Sequence, residues 1–137
     1  MNRTLKIGTH DGIWHPDDVA GIATQCLLLD QMGHSYQIFR TRNALLLDDC
    51  DILIDVGGKY NINDGHFDHH QPGGACLHKS GVPMASFGLM WEFCGKTLCS
   101  DNSEIASRIE RKLVCHIDAI DNGTPFVTNN FPDAYPN

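Results

Sequence analysis

The sequence lacks a long apolar run. No window of the 137 residues contains the roughly 18 consecutive apolar residues that a transmembrane helix needs. The first seven residues are not followed by the apolar stretch of a secretory signal. These absences exclude a membrane span within the sequence, and we expect a cytoplasmic protein.

Basic residues are also few. Ten Lys and Arg stand against 17 Asp and Glu, so the formal net charge is −7. Proteins that hold duplex DNA non-specifically need many Lys and Arg side chains against the phosphates, which excludes that class of partner. A small phosphorylated substrate or a short single-stranded nucleic acid remains compatible, because cations bound among carboxylates attract phosphate oxygens.

The six cysteines include no C-x-x-C pair, and several lie in apolar segments. This pattern favours reduced thiols packed in a core over disulfides. The sequence also lacks internal repeats, low-complexity runs and a convincing linker. We therefore expect residues 1–137 to form a single domain, long enough to bury roughly two-thirds of the surface that the unfolded chain exposes.

The first half of the chain alternates short apolar runs with helical apolar spacing. The pattern predicts strands over 5–9, 36–40 and 52–56, a helix over 16–32, and a short helical turn over 44–47. Pro16 suits the first turn of that helix. The order βαβαβ predicts an α/β fold with a doubly wound, parallel, Rossmann-like sheet and helices on both faces.

The second half predicts a loop from residue 59 to 83, followed by two helices. Their apolar spacing and capping residues place them over 85–98 and 103–117. The segment after Gly123 is rich in Pro and Asn, which predicts an irregular strap.

Carboxylate and imidazole side chains recur where predicted segments end. The most conspicuous group is Asp68-His69-His70, which in isolation would be read as a polar loop. It is joined by further residues of the same types, namely His10, His15, Asp17, Asp55, Asp118 and Asp121. Mixed oxygen and nitrogen donors suit Mn²⁺, Fe²⁺ or Zn²⁺ better than Ca²⁺, and this number of donors is enough to hold two cations.

Six stretches in chain order, at residues 9–18, 40–42, 54–60, 67–71, 86–89 and 117–123, together resemble a known family. The resemblance is to the DHH phosphoesterase superfamily and, within it, to the melanocyte-proliferating-gene family of predicted metal-dependent hydrolases and RNA exonucleases. One such motif can arise by chance, whereas six in register rarely do. The resemblance implies the N-terminal DHH domain of that family.

The resemblance also implies a ligand set for two divalent ions, with Mn²⁺ preferred and Mg²⁺, Zn²⁺ or Fe²⁺ as alternatives. The first loop would supply His10, His15 and Asp17, Asp55 would bridge both ions, and His69 would be a further ligand. Asp121 resembles the carboxylate of the fourth motif. Asp118 lies three residues earlier and would share its helical face, so the sequence leaves the choice between the two open.

Three further residues are expected to act beside the metal ligands. His70 resembles a contact to substrate phosphate, and Asp68 resembles a group that fixes the orientation of an imidazole. Arg42, with Arg40 as a weaker candidate, could bind a phosphate with two parallel hydrogen bonds. The alternative for Arg42 is a solvated loop arginine.

The predicted function is a metal-dependent phosphoesterase of nuclease type. Two ions roughly 3.5 to 4 Å apart can activate a shared water for in-line attack on phosphorus. The alternative is a non-catalytic module that binds metal and senses or sequesters a nucleotide. A third interpretation is a single structural zinc held by His10, His15 and a carboxylate, which predicts unfolding by chelators.

The sequence departs from the resembling family at its carboxyl end. Relatives carry a further region that closes over the site, and this sequence ends at Asn137 without one. We therefore expect a site that is open, completed by another subunit, or adapted to a small or exposed substrate. Apolar surface uncovered in this way leads to the hypothesis of a homodimer.

Overall fold

Five strands form one sheet in the computed structural model, which describes residues 3–124. The strands are β1 (Leu5–Thr9), β2 (Tyr36–Arg40), β3 (Ile52–Ile54), β4 (Tyr60–Asn61) and β5 (His66–Phe67). Their order is β2-β1-β3-β5-β4, and only the β4–β5 pair is antiparallel. The predicted α/β, Rossmann-like architecture is confirmed. The predicted irregular strap lies, from residue 125 onward, outside the described residues.

The helices follow the predicted order. They are α1 (Pro16–Gln31), α2 (Ala44–Asp48), α3 (Ser86–Leu98), α4 (Ser103–Ile109) and α5 (Cys115–Asp121). A π-helical turn over Glu110–Val114 joins α4 to α5, so the last helical stretch continues past its predicted end at residue 117. Within the described part of the chain, no helix is both long and apolar enough for a membrane crossing.

Helices cover both faces of the sheet, as the βαβαβ pattern predicts. On one face α1 lies close to the sheet at Gly21, which has no side chain; a Cβ there would lie 3.2 Å from Ile54 Cγ2. On the other face, a Cβ at Gly8 would lie 3.1 Å from a methyl group of Leu47 in α2. The small residues therefore set how near each helix lies to the sheet.

The main core lies between the sheet and the helices α1 and α3. Its buried apolar side chains include Ile7, Ile22, Leu29, Ile54, Phe67, Leu89 and Met90. Burial of each such side chain contributes roughly 1.5–3 kcal/mol. All six cysteines are free thiols, but only Cys94 is buried, so the expectation of core thiols holds for one of them in full.

Strands β4 and β5 lie inside the segment that the sequence pattern predicts to be a loop. Each is two residues long, too short for an alternating pattern to be recognised. Gly65 makes the pairing of β5 with β3 possible, since it adopts a left-handed φ of 73° and its carbonyl accepts a 2.8 Å hydrogen bond from Leu53 N. The two strands bring the following residue, Asp68, to the same edge of the sheet as the ends of β1 and β3.

Gly65→Ala should destabilise the protein more than Gly33→Ala. Both glycines have φ of 73°, so both changes incur the left-handed penalty of roughly 1–2 kcal/mol. A Cβ at residue 65 would also lie 2.4 Å from the backbone oxygen of Asp51, whereas a Cβ at residue 33 meets nothing within 4 Å. We expect Gly65→Ala to lose at least about 1 kcal/mol more in urea unfolding. Equal losses would contradict this account of the β3–β5 pairing.

Candidate metal centre

Three polar residues directly follow three adjacent parallel strands. His10 follows β1, Asp55 follows β3 and Asp68 follows β5, and all three side chains are buried. The chain runs from β1 to β2 on one side and then returns to β3 on the other. In such sheets ligands bind outside the carboxyl ends of the strands at this change of direction. The sheet therefore gathers the predicted residues at the expected edge.

Asp55 lies at the centre of the cluster. Its φ of 58° is unusual for a residue other than glycine, and conformations of this kind concentrate at functional sites. Its carboxylate accepts a 3.1 Å hydrogen bond from Ser86 Oγ. The Nε2 atoms of His10 and His69 each lie 3.3 Å from one of its two oxygens. One buried carboxylate thus contacts imidazoles from two different segments.

His69 presents a buried nitrogen to two carboxylates. Its Nε2 lies 3.1 Å from Asp121 Oδ2 and 3.3 Å from Asp55 Oδ1, yet it makes no aligned hydrogen bond. Burial alone would lower the pKa of His69, but the carboxylates of Asp121 and Asp55 raise it to about 10. His69 could share a divalent ion with Asp55 in one group of donors or with Asp121 in another.

The first turn of α1 brings in a carboxylate that the predicted ligand set does not contain. Asp18 is fully buried, and His10 Nε2 lies 2.5 Å from its Oδ2. The Asp18 carboxylate also accepts hydrogen bonds of 3.0 and 3.1 Å from the backbone N–H of His15, at the start of α1. The available signal was its position three residues after His15, typical of a carboxylate that caps a helix. The ring of His15 itself is largely exposed.

Asp17 points to the other side, toward the start of α3. Its carboxylate accepts hydrogen bonds from the backbone N–H groups of Ser86 at 3.1 Å and Phe87 at 2.7 Å. Burial raises the pKa of Asp17 to about 8, although the hydrogen bond from Phe87 opposes the shift. Asp17 still lies close enough to His69 and Asp121 to share an ion with them.

Asp118 and Asp121 occupy different surroundings. Asp118 is fully buried, accepts a hydrogen bond from Gly88 N at 3.2 Å and lies 2.7 Å from His78 Nε2. Asp121 faces His69 instead. Three residues correspond to about 300° of helical rotation, so the two side chains leave α5 about 60° apart. The structure brings Asp121 into the cluster and places Asp118 against His78.

Asp68 and His70 form a pair at the mouth of the site. Asp68 accepts hydrogen bonds from Gly58 N at 2.6 Å and His69 N at 2.8 Å, and His70 Nδ1 lies 2.7 Å from its Oδ1. Burial alone would raise the pKa of Asp68, but the hydrogen bonds from His70 and Gly58 outweigh it and lower the pKa. Asp68 therefore stays charged and orients the exposed ring of His70.

A cavity of about 660 Å³ opens above these residues. Two apolar residues of α5, Ile117 and Ile120, form one wall of the cavity. The rest of the lining named here is polar, namely His10, His15, Asp17, Arg42, Asp55, Asp68, His70 and Asp121. Arg42 lies at the rim, where its guanidinium donates to the backbone oxygen of Asp11 at 2.7 Å and pairs with the Asp11 carboxylate. Arg40 instead stacks 4.1 Å above the Trp14 ring.

Within residues 3–124, the donor atoms form three groups, each compact enough for one ion. The groups are His10, His15, Asp18 and Asp55; Asp55, Asp68, His69 and His70; and Asp17, His69 and Asp121. Within each group all donor atoms lie within 4.8 Å of one another. Asp55 belongs to two of the groups, as does His69. The residues present therefore fit the predicted class of cofactor, a divalent metal ion with oxygen and imidazole ligands.

Comparison with known proteins matches nearly the whole chain to one family. The family model MYG1_exonuc, described as Uncharacterised protein family (UPF0160), matches residues 6–137. No solved structure matches.

Individual relatives carry related names. A MYG1 protein of Schizosaccharomyces pombe is 33% identical over 138 residues, which cover 90% of this chain and 41% of the yeast protein. The MYG1 exonuclease of Mus musculus is 33% identical over 135 residues, covering 86% and 35%. A MYG1 protein of Chlamydia muridarum is 43% identical over 71 residues, covering 52% and 24%. The chain thus spans about two fifths or less of the length of these relatives.

Asp121→Asn and Asp118→Asn should have opposite effects. Asp121→Asn removes a carboxylate from the metal cluster, so we expect Mn²⁺ affinity to fall by at least about 100-fold with little change in stability. Asp118→Asn leaves buried His78 with Glu110 as its remaining charged partner, so we expect the metal-free protein to lose up to about 3 kcal/mol with Mn²⁺ affinity retained. Calorimetric Mn²⁺ titration and urea unfolding of both variants measure the two effects. The reverse pattern would make Asp118 the ligand.

Affinity for Mn²⁺ should rise with pH. An ion must displace the proton of His69 below its pKa of about 10 and that of Asp17 below its pKa of about 8. Between pH 7 and 8 we therefore expect affinity to increase by between about tenfold and 100-fold, since each displaced proton contributes a factor of about ten per pH unit. Calorimetry in two buffers with different ionisation enthalpies counts the protons released. An Mn²⁺ affinity that does not change between pH 7 and 8 would contradict the assignment of a proton to His69 and Asp17 in the metal-free protein.

Proposed function

The chain belongs to the Uncharacterised protein family (UPF0160), and from this membership and the buried His–Asp centre we propose that it is a metal-dependent phosphohydrolase of nuclease type. Three relatives, from mouse, rat and human, bear the name MYG1 exonuclease, which supports this class of reaction. The proposed substrate is a nucleotide, a short single-stranded oligonucleotide or another small phosphate ester. The assignment to the DHH superfamily is part of the proposal.

The observation that carries the proposal is the shared position of Asp55. Its two oxygens face His10 on one side and His69 on the other, at 3.3 Å in each case. Asp55 is the one carboxylate common to the first two donor groups, so it is the residue suited to contact two ions. We assign the ions as Mn²⁺, because the donors mix carboxylate oxygen with imidazole nitrogen.

Two divalent ions bound there would lower the pKa of a water, orient it toward phosphorus and stabilise charge on the phosphate oxygens. The protein residues hold the ligands in place. The backbone oxygen of Asp11 orients His10 by accepting from Nδ1 at 2.7 Å, and Ser86 orients Asp55 through its hydroxyl. These partners fix the donors before substrate binds, which reduces the reorganisation that the reaction requires.

Substrate contacts would come from the exposed residues of the cavity. Arg42 and His70 both line the cavity, and both side chains are largely exposed. Asp68 holds the Nδ1 side of His70, so its Nε2 is the ring nitrogen left for a phosphate oxygen. The cavity volume of about 660 Å³ fits the size range of small-molecule sites. A mononucleotide or the end of a single strand suits this space better than a duplex.

Asp55→Asn should abolish metal-dependent hydrolysis. The substrate panel is bis-p-nitrophenyl phosphate, pyrophosphate, cyclic dinucleotides, and short RNA and DNA, each with Mn²⁺ and with EDTA. Loss of the shared carboxylate should lower kcat/KM by at least about 100-fold, since such a metal contact is worth several kcal/mol.

The matched control is Asp64→Asn. Asp64 is an exposed carboxylate paired with Lys59, and it precedes β5, at the opposite end of that strand from Asp68. This variant should keep wild-type turnover. Intact hydrolysis by folded Asp55→Asn protein would refute the shared-ligand role. Mn²⁺ binding without turnover of any substrate would instead favour the nucleotide-binding module.

A further inference from the structure

Asn122 directly follows the Asp121 carboxylate and contacts the other side of the His69 ring. Its Oδ1 lies 3.2 Å from His69 Nδ1. Its Nδ2 donates hydrogen bonds of 3.0 Å to the backbone oxygen of Pro83 and 3.0 Å to that of Asp118. One side chain therefore joins three segments: the Asp68-His69-His70 stretch, the residues before α3, and α5.

The two carbonyl groups determine which way the amide faces. A carbonyl oxygen can only accept a hydrogen bond, so the NH₂ of Asn122 must point toward Pro83 and Asp118. The Oδ1 atom must then face His69, where it can only accept. The hydrogen between the two side chains consequently belongs to His69 Nδ1.

The location of that hydrogen decides what the other ring nitrogen can do. An imidazole that binds a metal is neutral and carries its one hydrogen on the nitrogen away from the ion. When the hydrogen of the metal-bound ring is on Nδ1, its lone pair is on Nε2, the nitrogen that lies between Asp55 and Asp121. The hydrogen bond from Nδ1 to Asn122 thus leaves Nε2 as the ring nitrogen that can bind the ion.

We infer that Asn122 is a positioning residue, which holds His69 in the tautomer and orientation that direct Nε2 toward a divalent cation. The inference rests on the metal site of the proposed function and adds a residue to it that the donor set does not contain. Pro83 supports the arrangement, because it pairs with Leu77 in an isolated bridge that fixes the acceptor of the Asn122 amide.

The test compares Asn122→Leu with the wild-type protein in two measurements. Leu has a similar size and no hydrogen-bonding atoms, so it removes the acceptor of His69. Calorimetric titration with Mn²⁺ should show affinity weakened by roughly 10- to 100-fold, the usual effect of removing such a partner. In Zn²⁺-loaded, ¹⁵N-labelled protein, the Nδ1–H signal of His69 should be slowly exchanging in the wild type and lose that protection in the variant.

Asn102→Leu is the matched control. Asn102 also accepts hydrogen bonds with its side-chain oxygen, at 3.1 Å from both Glu104 N and Ile105 N, but it caps α4 outside the cavity. This control should unfold at a lower urea concentration and keep its Mn²⁺ affinity. It separates a general loss of stability from a loss of positioning.

Two further variants cover the case in which Asn122→Leu does not fold. Asn122→Ser is smaller and should weaken Mn²⁺ binding in the same way. Asn122→Asp keeps an acceptor for His69 Nδ1 but replaces the NH₂ that donates to Pro83 and Asp118 with a second oxygen, so its Nδ1–H signal should be less protected than in the wild type.

The outcomes separate this inference from the proposed function. Wild-type protein that binds no Mn²⁺ would overturn the proposed function and this inference with it. Wild-type binding with unchanged affinity and an unchanged His69 signal in both the Leu and Ser variants would overturn the role of Asn122 alone.

Discussion

The burial of several carboxylates at one edge of the sheet is the constraint on which the rest of the structure depends. Asp17, Asp18 and Asp118 are fully buried, and Asp55 and Asp68 nearly so. A buried charge is costly unless it is paired and hydrogen-bonded. Here each carboxylate has donors within reach, either backbone N–H groups, a hydroxyl or imidazoles. The edge of the sheet can therefore hold a density of carboxyl groups that an apolar core would exclude.

The amino end of α3 supplies much of that compensation. Asp17 accepts from its first two N–H groups, and Asp118 accepts from Gly88 N within the same turn. Negative charge at this end of a helix is stabilised by the helix dipole. Gly88 is essential to the arrangement, since a Cβ there would lie 1.9 Å from the Asp118 carboxylate. The contacts that fix α1 and α5 against α3 are thus the contacts that orient the site.

The sequence pattern predicts the parts of the fold that depend on periodicity. The bounds of β1 and β2 agree with the prediction to the residue, whereas β3 ends at Ile54, two residues before its predicted end. The carboxyl ends of β1 and β3 still place His10 and Asp55 at one edge of the sheet. Periodicity gave no sign of β4 and β5, which are two residues long. It also does not assign side-chain direction within a helix, so it neither marks Asp18 as a donor nor separates Asp118 from Asp121. Contacts with residues distant in sequence, here His78 and α3, determine which carboxylate faces the site, and no local sequence pattern contains them.

The distribution of unusual features bears on whether the site is functional or structural. The left-handed backbone of Asp55 and the unpaired Nε2 of His69 occur side by side at this edge. Proteins tolerate such departures at functional sites and compensate for them elsewhere. The compensation is visible in the core beneath, where Ile7, Ile54 and Leu89 are completely buried independently of the His–Asp cluster. A single structural zinc would instead be expected where the apolar core is insufficient. The arrangement therefore argues for chemistry at the cluster rather than for a metal that holds the fold together.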